Sequence, residues 1–272
     1  MILSGKRYSW IGEKANEIRC FLSFWKKKFK KRMFFSFLLT ALCGRMDLKC
    51  LFLGGVTLFA YAFTFLVALA VTFVLTPVVK NFAIRIGAVD KPDARKVHHG
   101  LVPRLGGLAI YAGFMVSAIT TIGFTYEMVG IMAGATFLII VGVADDVVSL
   151  RPKVKLLGQI IAAAIPVVIF NINIDWINVP WHGIVYLPAV ISIPLTIFWI
   201  IGFINTVNLI DGLDGLAAGI ATIASIAIAL LAFQMGQWTA AAAMVAMTGA
   251  CLAFLQYNFN PAKIFMGDTG SM

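Results

Sequence analysis

The chain has 272 residues, of which 61% are hydrophobic and 12% are charged, and its formal net charge is +10. Soluble globular domains carry about 25% charged residues, so this composition excludes an ordinary soluble domain and indicates an integral membrane protein. Twelve of the 22 Lys and Arg residues lie in residues 1–50, and the others lie in short segments between apolar runs. This distribution indicates membrane topology and not a nucleic-acid partner. The four cysteines show no CxxC spacing, which argues against a zinc site and a disulfide framework.

Residues 1–50 form a basic N-terminal extension that differs from the rest of the chain. A basic run at 26–32 precedes an apolar run at 33–43, and this run is too short to span a bilayer, because a spanning helix needs about twenty residues. Three interpretations stay open: a surface anchor, a signal-peptide-like segment, and a non-native extension upstream of a start at Met46. The transmembrane domain is predicted to cover residues 51–272.

Seven later apolar runs are each close to the length that crosses a bilayer. They lie at about 52–79, 105–124, 127–144, 156–172, 188–207, 215–234 and 238–257. The predicted fold is therefore an all-α, polytopic membrane helix bundle with about seven transmembrane helices.

The charged residues between these runs predict the orientation of the bundle. Ten Lys and Arg residues lie in the first and third connections and after the seventh run, and the second, fourth and sixth connections have none. Basic connections face the cytoplasm, so the odd-numbered connections are expected on that side. The same assignment gathers Asp145, Asp146, Asp211, Asp214 and Asp268 on the cytoplasmic face, each at or just past the end of an apolar run.

Several carboxylates in one site cannot all stay ionised unless a cation joins them or some of them hold protons. Mg²⁺ suits this set, because it binds one or two carboxylates and completes its shell with water and phosphate oxygens. The nearby Lys153 and Lys155 would then contact phosphate. The pattern predicts phosphoryl transfer between a soluble phosphate donor and a lipid.

Each signal also has a simpler interpretation when it is taken alone. Asp214 could cap the helix that follows it, and Asn205 and Asn208 could form hydrogen bonds between helices. Gly106 and Gly107 could mark a close contact between helices. The gathering of all these residues on one face favours a functional site.

Four ordered segments of the chain resemble the polyprenyl-phosphate N-acetylhexosamine-1-phosphate transferases. They are residues 90–98 (DKPDARKVH) with 103–107 (PRLGG), 145–146 (DD) with 151–156 (RPKVKL), 205–215 (NTVNLIDGLDG), and 265–271 (FMGDTGS). The first segment is more similar to the branch that uses UDP-N-acetylglucosamine and undecaprenyl phosphate than to the branch that uses UDP-MurNAc-pentapeptide.

The resemblance implies that a prenyl phosphate attacks the β-phosphorus of the UDP-sugar, which releases UMP and forms the lipid-linked sugar. This product would start the synthesis of teichoic acid or another surface polysaccharide. The resemblance further implies a multi-pass protein of the bacterial cytoplasmic membrane whose active site faces the cytoplasm. Its expected cofactor is Mg²⁺, with Mn²⁺ as the alternative. The lipid bilayer is an expected partner, nucleic acid is not, and a homodimer is left open.

The resemblance also assigns roles to individual residues. The catalytic set is Asp145, Asp146, Asp211, Asp214 and Lys155, the substrate-binding set is Asn205, Asn208, Phe265, Lys96, His98 and Arg104, and the metal ligands are Asp268 and Asp211. Asp145 would deprotonate or orient the lipid phosphate, and Phe265 would stack against uracil.

The chain departs from the family pattern after residue 272, where the family continues with further helices and a histidine-rich motif. A chain that is complete at this point is expected to have little or no transferase activity. The alternative is therefore an inactive remnant or a non-catalytic membrane partner of a full-length transferase. A transport protein is a third hypothesis, and the placement of the acids at one surface, with none in the middle of a run, argues against it.

Overall fold

The computed structural model describes residues 48–90 and 102–272, and it describes side chains from residue 59 onward within these ranges. The chain divides into two compact units, Met1–Leu58 and Phe59–Met272. Lys96, His98 and almost all of the predicted 1–50 extension lie outside the described residues. The packing and the candidate site below belong to the second unit.

The described residues form a helical bundle with two small antiparallel hairpins. The helices are α1 (Leu48–Ile86), α2 (Gly106–Thr121), α3 (Tyr126–Val148), α4 (Pro152–Ala164), α5 (Ala189–Ile210), α6 (Leu216–Gln234), α7 (Trp238–Asn258) and α8 (Asp268–Ser271). A π-helical turn, Ile165–Ile169, continues α4. Strands β1 (Val89–Asp90) and β2 (Val102–Pro103) form one hairpin, and β3 (Trp176–Val179) and β4 (Gly183–Tyr186) form the other.

The prediction of a polytopic membrane bundle is confirmed. Six helical segments of the described chain are long and apolar enough to span a membrane: Phe59–Ile86, Tyr126–Val148, Pro152–Ile169, Ala189–Ile210, Leu216–Gln234 and Trp238–Asn258. Large apolar side chains such as Phe198 and Ile223 are about 70% exposed, at 72% and 70%. Such exposure in an apolar helix suits contact with lipid.

Two predicted spans differ in length from the helices that form. The predicted span at 105–124 becomes the 16-residue helix α2, which stops before Gly123, a residue with a φ of +77°. The predicted span at 52–79 belongs to the longer α1, which continues through Pro77 as far as Ile86. Lys80 and Arg85 therefore lie on this helix and not in a connection, and Arg85 lies in its last turn, where a cation is favoured.

Small residues let α7 pack closely against its neighbours. Ala246, Ala250 and Phe254 of α7 are fully buried and form a core with Ile110 of α2 and with residues of α6. Close approach of helices through small residues is the usual way in which membrane helices gain packing energy. This core extends to Ile264 and Met266, which precede α8, and so supports the end of the bundle where the acids lie.

The segment 103–107 pairs through its backbone with residues 265 and 266. The Phe265 amide donates to the Pro103 carbonyl over 2.8 Å, and the amides of Gly106 and Gly107 donate to the carbonyls of Phe265 and Met266 over 3.0 Å each. These bonds satisfy N–H groups that a helix start leaves without an intrahelical partner. The pairing fixes the approach of the chain to Asp268.

We expect the substitution Gly107→Ala to destabilise this pairing. A Cβ atom at Gly107 would overlap the backbone of Gly270 and lie 2.5 Å from the carbonyl carbon of Thr269. Such overpacking costs about 1–3 kcal/mol, so the midpoint of thermal unfolding in detergent should fall. Gly219→Ala in α6 is the matched control, because its Cβ would meet nothing within 4 Å; an equal fall in both variants would contradict the prediction.

Candidate active site

Loops and helix ends at one end of the bundle line a cavity of about 410 Å³. The predicted site residues that line it are Arg104, Asp146, Asn208, Asp211, Asp214, Phe265 and Asp268. Asp145, Lys155 and Asn205 are not among its lining residues. The structure therefore brings together residues from four separate segments, and it places three of the predicted residues behind or beside the cavity.

Asp146, near the end of α3, holds the start of α8. Its Oδ1 accepts a hydrogen bond from the Asp268 amide (3.0 Å), and its Oδ2 accepts bonds from the Thr269 amide (2.9 Å) and the Thr269 hydroxyl (2.6 Å). Gly267 makes the approach possible, because it has a φ of +72° and its Cβ would lie 2.6 Å from Asp146 Oδ2. Both carboxylate oxygens of Asp146 are thus engaged with the segment that carries Asp268.

Lys155, in the first turn of α4, joins three acceptors from different elements. Its Nζ lies 2.9 Å from Asp145 Oδ2 and 2.5 Å from Asp268 Oδ1, and it donates to Asn208 Oδ1 over 3.4 Å. Asn208 in turn donates to Asp268 Oδ1 over 2.6 Å. One cation therefore links α3, α5 and α8, and an ammonium group has three hydrogens to share among these partners.

Both carboxylate oxygens of Asp145 are bonded to groups of the protein. Its Oδ1 accepts a hydrogen bond from the Leu150 amide over 2.7 Å, and its Oδ2 pairs with Lys155. The residue is 8% exposed. In this structure the carboxylate holds Lys155 and the turn that follows α3.

Burial, hydrogen bonds and neighbouring charges shift the pKa values of two carboxyls outside the spanning helices. Burial raises the pKa of Asp211 to about 6, and the nearby negative charges of Asp268 and Asp146 add to the shift. Burial acts in the same direction on Asp268, but hydrogen bonds from Lys155 and Asn208 outweigh it and lower the pKa of this carboxyl. Asp268 is therefore the more firmly ionised of the two at neutral pH.

Asp214 ties its loop to the segment that follows α7. Its Oδ2 accepts hydrogen bonds from the Ala262 amide (3.0 Å) and from the Asn260 side chain (3.2 Å). It does not cap α6, because Gly215 occupies the N-cap position with a φ of +74°. That alternative from the sequence is therefore wrong.

Asn258 is a site residue that the sequence interpretation missed. It is 3% exposed, accepts a hydrogen bond from the Gly215 amide (3.1 Å) and donates to the Ile264 carbonyl (2.9 Å). It also lines the cavity, as does Asn260. The available signal was a pair of asparagines at the end of an apolar run, the same pattern that drew attention to Asn205 and Asn208.

Arg104 and Asn205 have different kinds of partner. Arg104 lines the cavity and pairs with Asp90 over 2.9 Å, so its charge faces the space in which a ligand would bind. Asn205 instead pairs with Gln159 of α4 (2.9 Å) and with the Ile201 carbonyl (2.9 Å). The interpretation of Asn205 as a link between helices accounts for these bonds better than a substrate-binding role does.

The site contains oxygen atoms that fit a hard cation. Within the described ranges, no group of three or more His, Cys, Asp or Glu side chains has metal-binding geometry. However, Asp211 and Asp268 line one cavity, and the negative charge of Asp268 adds to the burial that raises the pKa of Asp211. Mg²⁺ binds in proteins through one or two carboxylates together with water and phosphate oxygens, so this pair fits the ion.

Comparison with known proteins agrees with this geometry. Residues 128–272 match the sequence profile of glycosyl transferase family 4. The chain is 43% identical over 209 residues to the probable undecaprenyl-phosphate N-acetylglucosaminyl 1-phosphate transferase of Bacillus subtilis, a match that covers 76% of this chain and 58% of that protein. It is 36% identical over 242 residues to the decaprenyl-phosphate N-acetylglucosaminephosphotransferase of Mycolicibacterium smegmatis, covering 80% of this chain and 58% of the relative.

A third relative is the phospho-N-acetylmuramoyl-pentapeptide-transferase of Listeria monocytogenes. It is 30% identical over 238 residues, and the match covers 79% of this chain and 72% of the relative. The chain thus spans 58% of the length of the first two relatives and a larger share of the third. With the profile match over more than half of its residues, this chain belongs to glycosyl transferase family 4.

Proposed function

We propose that this protein transfers N-acetylglucosamine 1-phosphate from UDP-N-acetylglucosamine to undecaprenyl phosphate. The observation that carries the proposal is Lys155, which bridges Asp145 and Asp268 beside Asn208 at the edge of a cavity lined by further carboxylates. The relatives named as N-acetylglucosamine phosphotransferases are 43% and 36% identical, and the muramoyl-pentapeptide relative is 30% identical. This order favours the N-acetylglucosamine donor.

The reaction is a single phosphoryl exchange. An oxygen of the lipid phosphate forms a bond to the β-phosphorus of the UDP-sugar, and the bond from that phosphorus to the bridging oxygen breaks. UMP leaves with the bridging oxygen, and the lipid carries the new diphosphate. A phosphate monoester is already largely ionised at pH 7, since its second pKa is about 6. The chain therefore has to orient the reactants and balance their charge more than it has to remove a proton.

Different residues of the cavity are suited to bind different parts of the substrates and the metal ion. Arg104 faces the cavity and is suited to bind diphosphate oxygens, since a guanidinium matches phosphate geometry. Phe265 lines the same space and offers a ring for the uracil base. Asp268 and Asp211 would hold Mg²⁺, with Mn²⁺ as the alternative, and the ion would neutralise phosphate charge. Asp146, which also lines the cavity, and Lys155 hold Asp268 in place, and Asp145 in turn holds Lys155.

The proposal includes an orientation. The cavity lies at the end of the bundle where α3 and α5 finish and α4 begins, and the basic connections of the sequence support a cytoplasmic orientation for this end. The product would start teichoic acid or another surface polysaccharide. A homodimer stays an open alternative.

The direct test uses purified protein in detergent with UDP-N-acetylglucosamine, undecaprenyl phosphate and Mg²⁺. We expect release of UMP and a lipid-linked sugar, with loss of both on chelation of Mg²⁺. Because the chain spans 58% of the Bacillus subtilis relative, the assay is run on the 272-residue chain and on a fusion to the remaining part of that relative. Product from neither protein would contradict the proposal and favour a non-catalytic membrane partner.

We expect Arg104→Gln to raise the KM for the UDP-sugar by about 10- to 100-fold. The substitution removes a charged donor from the cavity, and a hydrogen bond to a charged group is worth about 1.5–3 kcal/mol. The measurement is the rate of UMP release against UDP-sugar concentration. Arg85→Gln, at the exposed end of α1, is the control for loss of one basic charge. An unchanged KM for Arg104→Gln would remove Arg104 from the binding site.

A further inference from the structure

Gln159 is a buried polar residue that neither the sequence interpretation nor the proposed reaction uses. It lies on α4, one helical turn after Lys155, and is 1% exposed. Its Oε1 accepts a hydrogen bond from Asn205 Nδ2 over 2.9 Å, and its Nε2 donates to Asn205 Oδ1 over 3.5 Å. Its Nε2 also lies 3.5 Å from the sulfur of Met272. The two side chains form a reciprocal amide pair between α4 and α5.

This amide pair lies one turn away from the contact between Lys155 and Asn208. Residues three or four apart share one face of a helix, so Lys155 and Gln159 form one row on α4, and Asn205 and Asn208 form the facing row on α5. Of the two contacts between these rows, the one between Lys155 and Asn208 touches Asp268. The Gln159–Asn205 pair touches neither the cavity nor an acid. A change in the Gln159–Asn205 pair can therefore reach Asp268 through the positions of α4 and α5, or through the contact of Gln159 with Met272, which directly follows α8.

The Gln159–Asn205 pair is important for the contact between α4 and α5, because few residues of α5 are buried. Ser192, Thr196 and Ile204 are the buried residues of α5 in the described structure, and Ser192 and Thr196 lie near its far end. Near the cavity, the amide pair joins α5 to α4 alongside the longer contact of 3.4 Å between Lys155 and Asn208. A shift along the helix would move Asn208 away from Asp268 Oδ1, to which it now donates over 2.6 Å.

We infer that the Gln159–Asn205 pair is a positioning device for the phosphate-transfer site, which it serves by fixing the axial position of Asn208 and Lys155 relative to Asp268. The inference rests on the proposed function for its effect on rate. It gives Asn205 a role without substrate contact and adds Gln159 as a positioning residue. Misplacement of catalytic groups by about 1 Å can cost about 100-fold in rate, so the effect belongs in kcat.

The test compares Gln159→Leu and Asn205→Leu with a double variant in which the amides are exchanged, Gln159→Asn with Asn205→Gln. We expect each single variant to lower kcat by about 10- to 100-fold with little change in the KM for the UDP-sugar. The exchanged pair should recover much of the rate. A rise in KM without a fall in kcat would assign Asn205 to substrate binding and overturn the inference.

A matched control is a second buried polar pair between helices, Ser225 of α6 and Thr248 of α7, whose hydroxyls lie 2.9 Å apart. Ser225→Ala removes this bond between helices, so it should lower thermal stability and leave kcat unchanged. If Gln159→Leu also lowered only stability, the pair would be merely structural and the inference would be wrong.

A second readout does not depend on activity and separates the inference from the proposed function. The rate at which an amine reagent labels Lys155, mapped by mass spectrometry, reports how firmly its ammonium is held. Gln159→Leu should raise this rate and Ser225→Ala should not; an unchanged rate in Gln159→Leu would overturn the inference. Absence of transfer by the unsubstituted protein would contradict the proposed function alone, and the labelling result would still decide the inference.

Discussion

Replacing Asp146 by asparagine is expected to abolish most of the transferase activity because it releases the segment that carries Asp268. Asp146 accepts three hydrogen bonds from Asp268 and Thr269, and an asparagine keeps one acceptor oxygen and turns an NH₂ group toward an N–H donor. Each donor left without a partner costs about 1–3 kcal/mol. If about 3 kcal/mol of this loss falls on the geometry of the site, kcat drops by about two orders of magnitude.

The measurement is kcat together with hydrogen exchange at the amides of Asp268 and Thr269. Both amides are bonded to Asp146 and should exchange faster in the asparagine variant. Thr269→Val is the control, because it removes the hydroxyl donor and keeps both amide bonds, and it should lower the rate much less. A lost rate with unchanged exchange would show that Asp146 acts on the substrate and not on this segment.

Replacing Lys155 by methionine is expected to destabilise the fold as well as to remove activity. The substitution leaves Asp145, which is 8% exposed, and Asp268 without the cation that joins them. Removal of one partner from a buried ion pair costs about 3–5 kcal/mol, because the remaining charge stays buried. The lower end of this range is more realistic here, since the Lys155 side chain is 19% exposed. Thermal unfolding in detergent measures the loss.

A second substitution tests this reason. Lys155→Met combined with Asp145→Asn removes a buried negative charge along with the cation, so the double variant should be more stable than Lys155→Met alone, although it stays inactive. Lys153→Met is the control, because Lys153 lies in the same turn of α4 and is exposed. Equal destabilisation by the substitutions at 153 and 155 would show that the ion-pair cluster does not account for the effect.

The membrane class, the bundle and most of the cavity could be predicted from the order of the residues. Apolar runs of about twenty residues specify spanning helices because an unsatisfied backbone is too costly in lipid. Acids at the ends of such runs are expensive to bury, which marked Asp211 and Asp268 as functional candidates. Both residues line the cavity. These signals are local, so each could be recognised without knowledge of the fold.

Only the tertiary structure decides which partner each acidic residue of the site contacts. Asp145 and Asp146 are neighbours in the sequence, yet one pairs with Lys155 and the other holds the start of α8. Gln159 and Asn258 were overlooked because their partners, Asn205 and Gly215, lie 46 and 43 residues away. A local pattern shows that a polar group in an apolar run needs a partner. Only the packing of the helices decides whether that partner is another side chain, a backbone amide or a ligand, because the same carboxylate or amide can satisfy any of the three.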